Sequence, residues 1–170
     1  MALPSILKNF NLYNDGNSLM GVAEEVSLPK LSRKMEDFQG AGMPMPVEID
    51  ISNEKIELDW TCMGFLYEAV KQYGAAKTNA NLLRFAGAYQ REDTGDVTAI
   101  EIVVRGRHKE MDFGNAKIGE KSTTKIKTTC SYYKLTVDGK VLIEIDALAM
   151  IFTVDGKDMM DKQRKAIGLA

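Results

Sequence analysis

Residues 54–62, EKIELDWTC, alternate without a fault: Ile56, Leu58, Trp60 and Cys62 fall on one side, Glu57, Asp59 and Thr61 on the other. A period of two marks a half-buried strand. The same rhythm runs through 96–112, where Ile100, Ile102 and Val104 face one way and Glu101, Val103 and Arg105 the other. Gly106 interrupts it, which predicts a bulge or a close backbone approach. The longest such stretch is Thr123 to Thr153, two runs rich in Val, Ile, Thr, Tyr and Phe around Asp138-Gly139. Asp-Gly between such runs predicts a hairpin with a type I′ turn and arms of about a dozen residues. Strands that long need a covered apolar face and protected edges, so a partner sheet or a partner chain is expected.

The remaining pattern is shorter in wavelength. Residues 6–13 and about 18–28 read as strands around Asn14-Asp15-Gly16, and 82–91 reads as the partner of 96–112 across Glu92-Asp93-Thr94-Gly95. Phe65, Leu66, Ala69, Val70 and Tyr73 recur at helical spacing before Gly74, which predicts one short helix with its aromatics in the core. Residues 113–121 read as a loop. After Asp155-Gly156 a short C-terminal helix is expected within 157–168, capped by Asp158 and stopped by Gly168. The fold class predicted is mainly β, an antiparallel sandwich or barrel with two short helices in a single domain over 1–170. About seven or eight strands are expected.

One stretch resists this pattern. Residues 28–46 lie between Pro29 and Pro44/Pro46 and mix Lys30, Arg33, Lys34, Glu36 and Asp37 with isolated Leu31, Met35 and Phe38. They fit neither a strand nor a helical face, and Gly40-Ala41-Gly42 can bend freely. Long connections of this kind are functional or disordered. The reading is an extended arm whose exposed Leu, Met and Phe need a surface to bury against, with a flexible loop as the alternative.

Charge and chemistry narrow the function. The formal net charge of −2 supplies no positive field to hold phosphates, and the basic run Arg105 to Lys109 lacks interleaved aromatics and is followed by Glu110 and Asp112, so stable nucleic-acid binding is not expected. Cys62 and Cys130 sit inside strand patterns and read as reduced core thiols. His108, the sole histidine, reads as an exposed structural residue whose protonation the flanking Arg105, Arg107 and Lys109 disfavour. No metal, phosphate-loop or nucleophile motif accompanies it, so neither an enzyme nor a cofactor is expected. Glu144 and Asp146, two apart on a strand, share a face that reads as solvated or lumen-lining rather than as a catalytic pair. No signal-peptide core or membrane-length apolar run is visible, which predicts cytosolic synthesis and no membrane binding by the chain itself.

Several segments together resemble the major tail tube protein of contractile-tailed bacteriophages and the similar inner tube protein of phage-tail-like bacteriocins. They are LPKLSRKMEDFQGAGM (28–43), RFAGAYQREDTGDV (84–97), VVRGRHKEMDFGNAKIGEK (103–121), YYKLTVDGKVLIEID (132–146) and DGKDMMDKQRKAIGL (155–169). Their order and spacing carry the likeness. The resemblance implies hexameric rings stacked into a hollow tube inside a contractile sheath, through which DNA and a tape measure protein pass. Sheath, baseplate and tail terminator proteins would be partners, the location the virion tail, and the site of assembly the bacterial host cytoplasm. By the same resemblance, Leu31, Arg33, Lys34, Met35, Glu36 and Phe38 of the arm, together with the N-terminal hairpin, would carry contacts between subunits. The C-terminal helix would face the sheath. Glu101, Glu144 and Asp146 are the candidate lumen lining. The rivals are the tube of a headless bacteriocin or secretion apparatus, a baseplate or terminator ring, and a monomeric ligand-binding β-barrel.

Overall fold

The computed structural model describes residues 1–169. In chain order the first strands are β1 (Ser5–Asn14), β2 (Asn17–Ser18), β3 (Ala23–Ser27), β4 (Arg33–Phe38), β5 (Val47–Asn53) and β6 (Ile56–Met63), followed by α1 (Tyr67–Gln72). Then come β7 (Asn81–Arg91), β8 (Val97–Asp112), β9 (Thr123–Val137), β10 (Lys140–Asp146), β11 (Ile151–Val154), β12 (Lys157–Asp158) and α2 (Asp161–Ala166). Ten strands form one sheet in the order β12-β11-β10-β9-β8-β7-β1-β2, with β6 branching from β9 and β3 from β6. Every strand pairing among the described residues is antiparallel. The hairpin turn is as expected: Asp138 and Gly139 both take positive φ, 47° and 81°, as a type I′ turn requires.

Gly106 makes the corner on which the core depends. The β8–β9 register shifts between Arg105 and Gly106, leaving Ser131 out of the ladder. A Cβ at Gly106 would lie 1.9 Å from the Thr129 carbonyl oxygen, so only glycine allows the strands to approach this closely. On one side of the corner β9 pairs with β6 over Thr123 to Cys130; on the other it pairs with β10 over Tyr132 to Val137. The bend brings both halves onto one cluster, in which Leu12, Leu83, Phe85 and Val104 join Leu58, Trp60, Cys62 and Ile126. Full burial of each large side chain contributes roughly 1.5–3 kcal/mol.

The mainly β, antiparallel class with two short helices is therefore observed, and several details differ from expectation. There are twelve strands among the described residues. The arm is no loose loop: β4 pairs with β5 from Arg33↔Asn53 to Phe38↔Val47. Its pattern is hidden in the sequence because most of the apolar row lies on β5, at Val47, Ile49 and Ile51. The expected second arm of the long hairpin breaks at Asp146, whose Oδ1 accepts the Leu148 and Ala149 N–H groups at 3.0 and 3.2 Å and turns the chain back into β11. The strand expected over 18–28 is likewise split into β2 and β3.

Both helices are shorter than the periodicity suggests. α1 has six residues, so a single line of side chains reaches the sheet. Ala69 is buried, whereas Phe65 and Tyr73 remain 67% and 56% exposed, so the aromatics are not core. Gly74 does not end α1 in a left-handed turn; Tyr73 closes it in helical geometry. At α2, Gly168 does stop the helix, with Gly168 N–H donating to the Lys165 carbonyl and Leu169 N–H to that of Arg164. Asp158 belongs to β12 and lies too early to be the cap; its carboxylate accepts the Met160 N–H at 3.0 Å and pairs with Arg164.

Candidate functional site

The β4–β5 hairpin leaves the body at Ser32, whose carbonyl accepts the Glu54 N–H at 2.9 Å. Its tip is closed by its own chain: the Met43 N–H donates to the Gly40 carbonyl and the Gln39 amide to the Met43 carbonyl, at 3.2 and 3.1 Å. The two strands form a sheet of their own. Phe38 stands opposite Val47, and Glu36 opposite Ile49. The pleat turns the alternate row to the other face, where Asp37 meets Glu48 and Met35 meets Asp50. Arg33 reaches Asp50 at 3.4 Å, Lys34 lies opposite Ser52, and Phe38 and Met35 are 52% and 40% exposed. An isolated two-stranded hairpin is marginal in water, and this one holds an apolar row that its own chain leaves about half exposed. Leu31, at the base, lines a groove of about 240 Å³ with Ile56, Ile143, Ile145, Phe152 and Val154.

The three carboxylates singled out from the sequence come together on one sheet face. Glu101 lies in the row Ala86–Glu101–Thr136, Glu144 in Arg84–Val103–Lys134–Glu144, and Asp146 in Arg105–Tyr132–Asp146. Directly paired residues share a face, and these rows alternate with the core-facing ones. The face is not purely acidic. Arg84 pairs with Glu101 at 3.2 Å and lies over the Tyr13 ring, and Lys134 stands opposite Glu144. The Tyr132 hydroxyl donates to Glu144 at 3.1 Å; burial, reinforced by that carboxylate, pushes the phenol up to about 12. Arg84 and Lys134 were not singled out from the sequence, although the alternation of β7 and β9 puts them on the same face; Arg105 shares the Glu101 face, as the alternation of β8 predicts.

The sheet margins are open. β2 pairs with β1 only at Tyr13 and Asn14, the Leu12 carbonyl accepts the Leu19 N–H, and β7 occupies the opposite edge, so Ser5 to Asn11 present an unpaired backbone edge. At the other margin β12 covers only Thr153 and Val154 of β11.

The sole histidine is not on the surface. His108 is 4% exposed and lies against Trp60. Its ring is held neutral chiefly by burial, not by the flanking cations, and titrates at about 4. Gly106 and the bulge at Ser131 turn this part of β8 inward. Cys62 and Cys130 are free thiols pushed up to about 12 by burial. Among the described residues no group of His, Cys, Asp and Glu is placed to hold a metal, and no helix is long and apolar enough to cross a membrane.

Comparison with known proteins gives a consistent result. The family model described as phage tail tube protein FII matches residues 4–168. The tail tube protein of Escherichia phage P2 is 44% identical over 172 aligned positions, covering 99% of this chain and 100% of the relative. The major tail tube protein of Serratia phage KSP20 is 38% identical, covering 99% of each. Among solved structures, a chain of an extracellular contractile injection system sheath-tube complex superimposes with a TM-score of 0.57 at 8% identity, over 75% of this chain and 88% of that one. A chain of the anti-feeding prophage baseplate gives 0.54 at 9% identity, over 80% and 97%.

Proposed function

The chain belongs to the phage tail tube protein FII family, and from that premise we propose that it is a structural, non-enzymatic subunit of a contractile tail that closes into hexameric rings and stacks them into the inner tube. The observation that carries the reading is the β4–β5 hairpin, which leaves Phe38, Val47 and Ile49 about half exposed on a sheet of two strands. A second copy of the chain supplies the remaining cover. The open edge of β1 supports a head-to-tail contact, which closes into a ring when the rotation is right.

In this reading 1–170 is one tube domain. Leu31, Arg33, Lys34, Met35, Glu36 and Phe38 form the contact between subunits, and the face bearing Glu101, Glu144 and Asp146 lines the lumen. Sheath, baseplate and terminator proteins meet the outside and ends of the tube, while tape measure protein and DNA pass through it. The finished tube resides in the virion tail, after assembly in the host cytoplasm.

Electron microscopy of the purified chain across a concentration series tests this. Hollow tubes or rings of uniform width are expected. Monodisperse monomers at every concentration, with or without a baseplate nucleus, would overturn it.

A further inference from the structure

His108 on β8 joins three elements through its two ring nitrogens. Nδ1 lies 2.9 Å from the Thr128 hydroxyl on β9, and Nε2 lies 2.9 Å from Oε1 of Gln72 on α1. The partners fix the hydrogens. An amide oxygen only accepts, so Nε2 carries the ring hydrogen. The Trp60 indole N–H donates to the Thr128 oxygen at 3.2 Å, leaving the threonine hydrogen for His108 Nδ1. Beyond the histidine, the Gln72 amide nitrogen donates to one oxygen of Asp15, and the other accepts the Leu82 N–H at 2.9 Å. From Trp60 to Asp15 every side-chain hydrogen points the same way, and the chain closes on a carboxylate with the imidazole neutral.

We propose that this chain of hydrogen bonds is an acid-released latch: neutral His108 pins α1 and the turn after β1 to the sheet, and a proton on Nδ1 frees α1 while the long strands stay paired. A protonated Nδ1 donates, so the Thr128 oxygen would face hydrogens from both Trp60 and His108, and its own hydrogen would have to turn away among buried groups. Nε2–H still donates to Gln72, and α1 is released because the charged ring, 4% exposed, reaches water only when the helix lifts away. The charged group acting on the ring is Asp15, from the β1–β2 turn, and it only partly opposes the effect of burial. β6 presents Trp60, β9 presents Thr128 and α1 presents Gln72, all neutral; Glu68 and Lys71 of α1 pair with each other at 3.4 Å.

Little else secures this segment. Ala69 is the buried residue of α1; beyond the helix, Arg107 donates to the Ala76 carbonyl at 3.1 Å and the Ser131 hydroxyl to that of Thr78 at 3.3 Å. β8 and β9, in contrast, are laddered from Ile100↔Val137 to Asp112↔Lys125. The segment therefore opens at lower free energy than the sheet. In the released state the ring regains its ordinary value of 6.5, against about 4 in the latched state. Hence the hold is complete above the higher value and is lost as pH falls to the lower one. Each pH unit in that window shifts the opening equilibrium about tenfold, roughly 300-fold in all.

Hydrogen exchange of the full chain between pH 7 and 4, read with the ring resonances of the single histidine, tests the latch. Protection over residues 67–80, corrected for intrinsic exchange, is expected to hold above pH 6.5 and to fall about tenfold per pH unit below it, with β8 and β9 unchanged. The ring should pass from the Nε2–H tautomer to the doubly protonated form in step. His108→Gln, which does not titrate, should flatten the profile, and Asp15→Asn should retain it. Constant protection over 67–80 in the wild-type chain would overturn the proposal, as would loss of β8 and β9 in the same step or a flat profile in Asp15→Asn. A ring titrating at its ordinary value would overturn it too, and that wild-type measurement stands even where His108→Gln fails to fold.

Discussion

Replacing Met35 and Phe38 together by serine separates assembly from folding. Phe38 lies opposite Val47 and Met35 opposite Asp50, on the two faces of a hairpin that forms a sheet of its own. Neither belongs to the core cluster, so the protomer should lose no more than about 1 kcal/mol, the sum of two ordinary surface changes of up to roughly 0.5 kcal/mol each. The assembled state should lose more. Full burial of a Phe or Met side chain is worth roughly 1.5–3 kcal/mol. With Phe38 and Met35 already about half covered in the free chain, completing the burial of both contributes about 2 kcal/mol per contact. At about 1.4 kcal/mol per factor of ten, the concentration needed for tube growth should rise roughly 30-fold. Denaturant unfolding of the free chain and sedimentation of assembled against free protein give the two quantities separately. Tubes forming at the wild-type concentration would refute the arm assignment. A drop of more than about 2 kcal/mol in protomer stability would refute the claim that the hairpin stands apart from the core.

Other substitutions probe the body of the fold. Gly106→Ala places a methyl 1.9 Å from a backbone oxygen; the corner must open, and a loss above about 4 kcal/mol, seen as insoluble protein or a collapsed urea midpoint, is expected. Trp60→Ala leaves a cavity and removes the indole donor to Thr128, lowering the unfolding free energy by about 3–5 kcal/mol. Asp146→Ala strips the acceptor from two turn N–H groups and should cost about 1 kcal/mol in the same assay. Glu101→Gln breaks a pair with Arg84 whose side chains are both more than a third exposed, so thermal unfolding should change by less than about 0.5 kcal/mol.

The sequence discloses the parts of the fold that depend on period and turn chemistry. Ile56 to Cys62, the Asp138-Gly139 turn and the Gly106 irregularity are local signals, and local physics suffices for them. What it misses is set by distance along the chain. β4 has no alternation of its own because most of its apolar row is supplied by Val47, Ile49 and Ile51 of β5; the period of two in VEIDISN was the available signal. The fate of His108 depends on a corner made jointly by Gly106 and Ser131, which turns a basic stretch inward and brings Gln72 from a separate helix. Spacing alone cannot report that juxtaposition. The break after Asp146 was masked because Ala147, Leu148, Ala149 and Met150 continue an apolar run while a single carboxylate bends the backbone. Glu101, Glu144 and Asp146 share a common face through the strands, and alternation along β8 puts Arg105 beside Glu101, but which cation stands opposite which carboxylate emerges only from the register between β7, β8, β9 and β10.

That register changes what the face could do as the wall of a conduit. A purely acidic lining acts by a field that reaches across a channel and repels phosphate; interleaved charges of both signs cancel within a few ångströms, and beyond a Debye length of about 8 Å little remains in physiological salt. Here Arg84 is paired with Glu101, Lys134 stands opposite Glu144, and Asp146 is occupied by the turn it caps. A polymer sliding past such a surface would meet charges of both signs within a few ångströms of one another, with neither a net field strong enough to bar entry nor a run of cations alone to hold it. Low friction would then come from local neutralisation rather than from repulsion, and passage should depend little on salt. Arg84→Glu, Arg105→Glu and Lys134→Glu together would convert the face to the repelling kind. A threefold variant that leaves DNA passage and its salt dependence unchanged would count against this face as the lining.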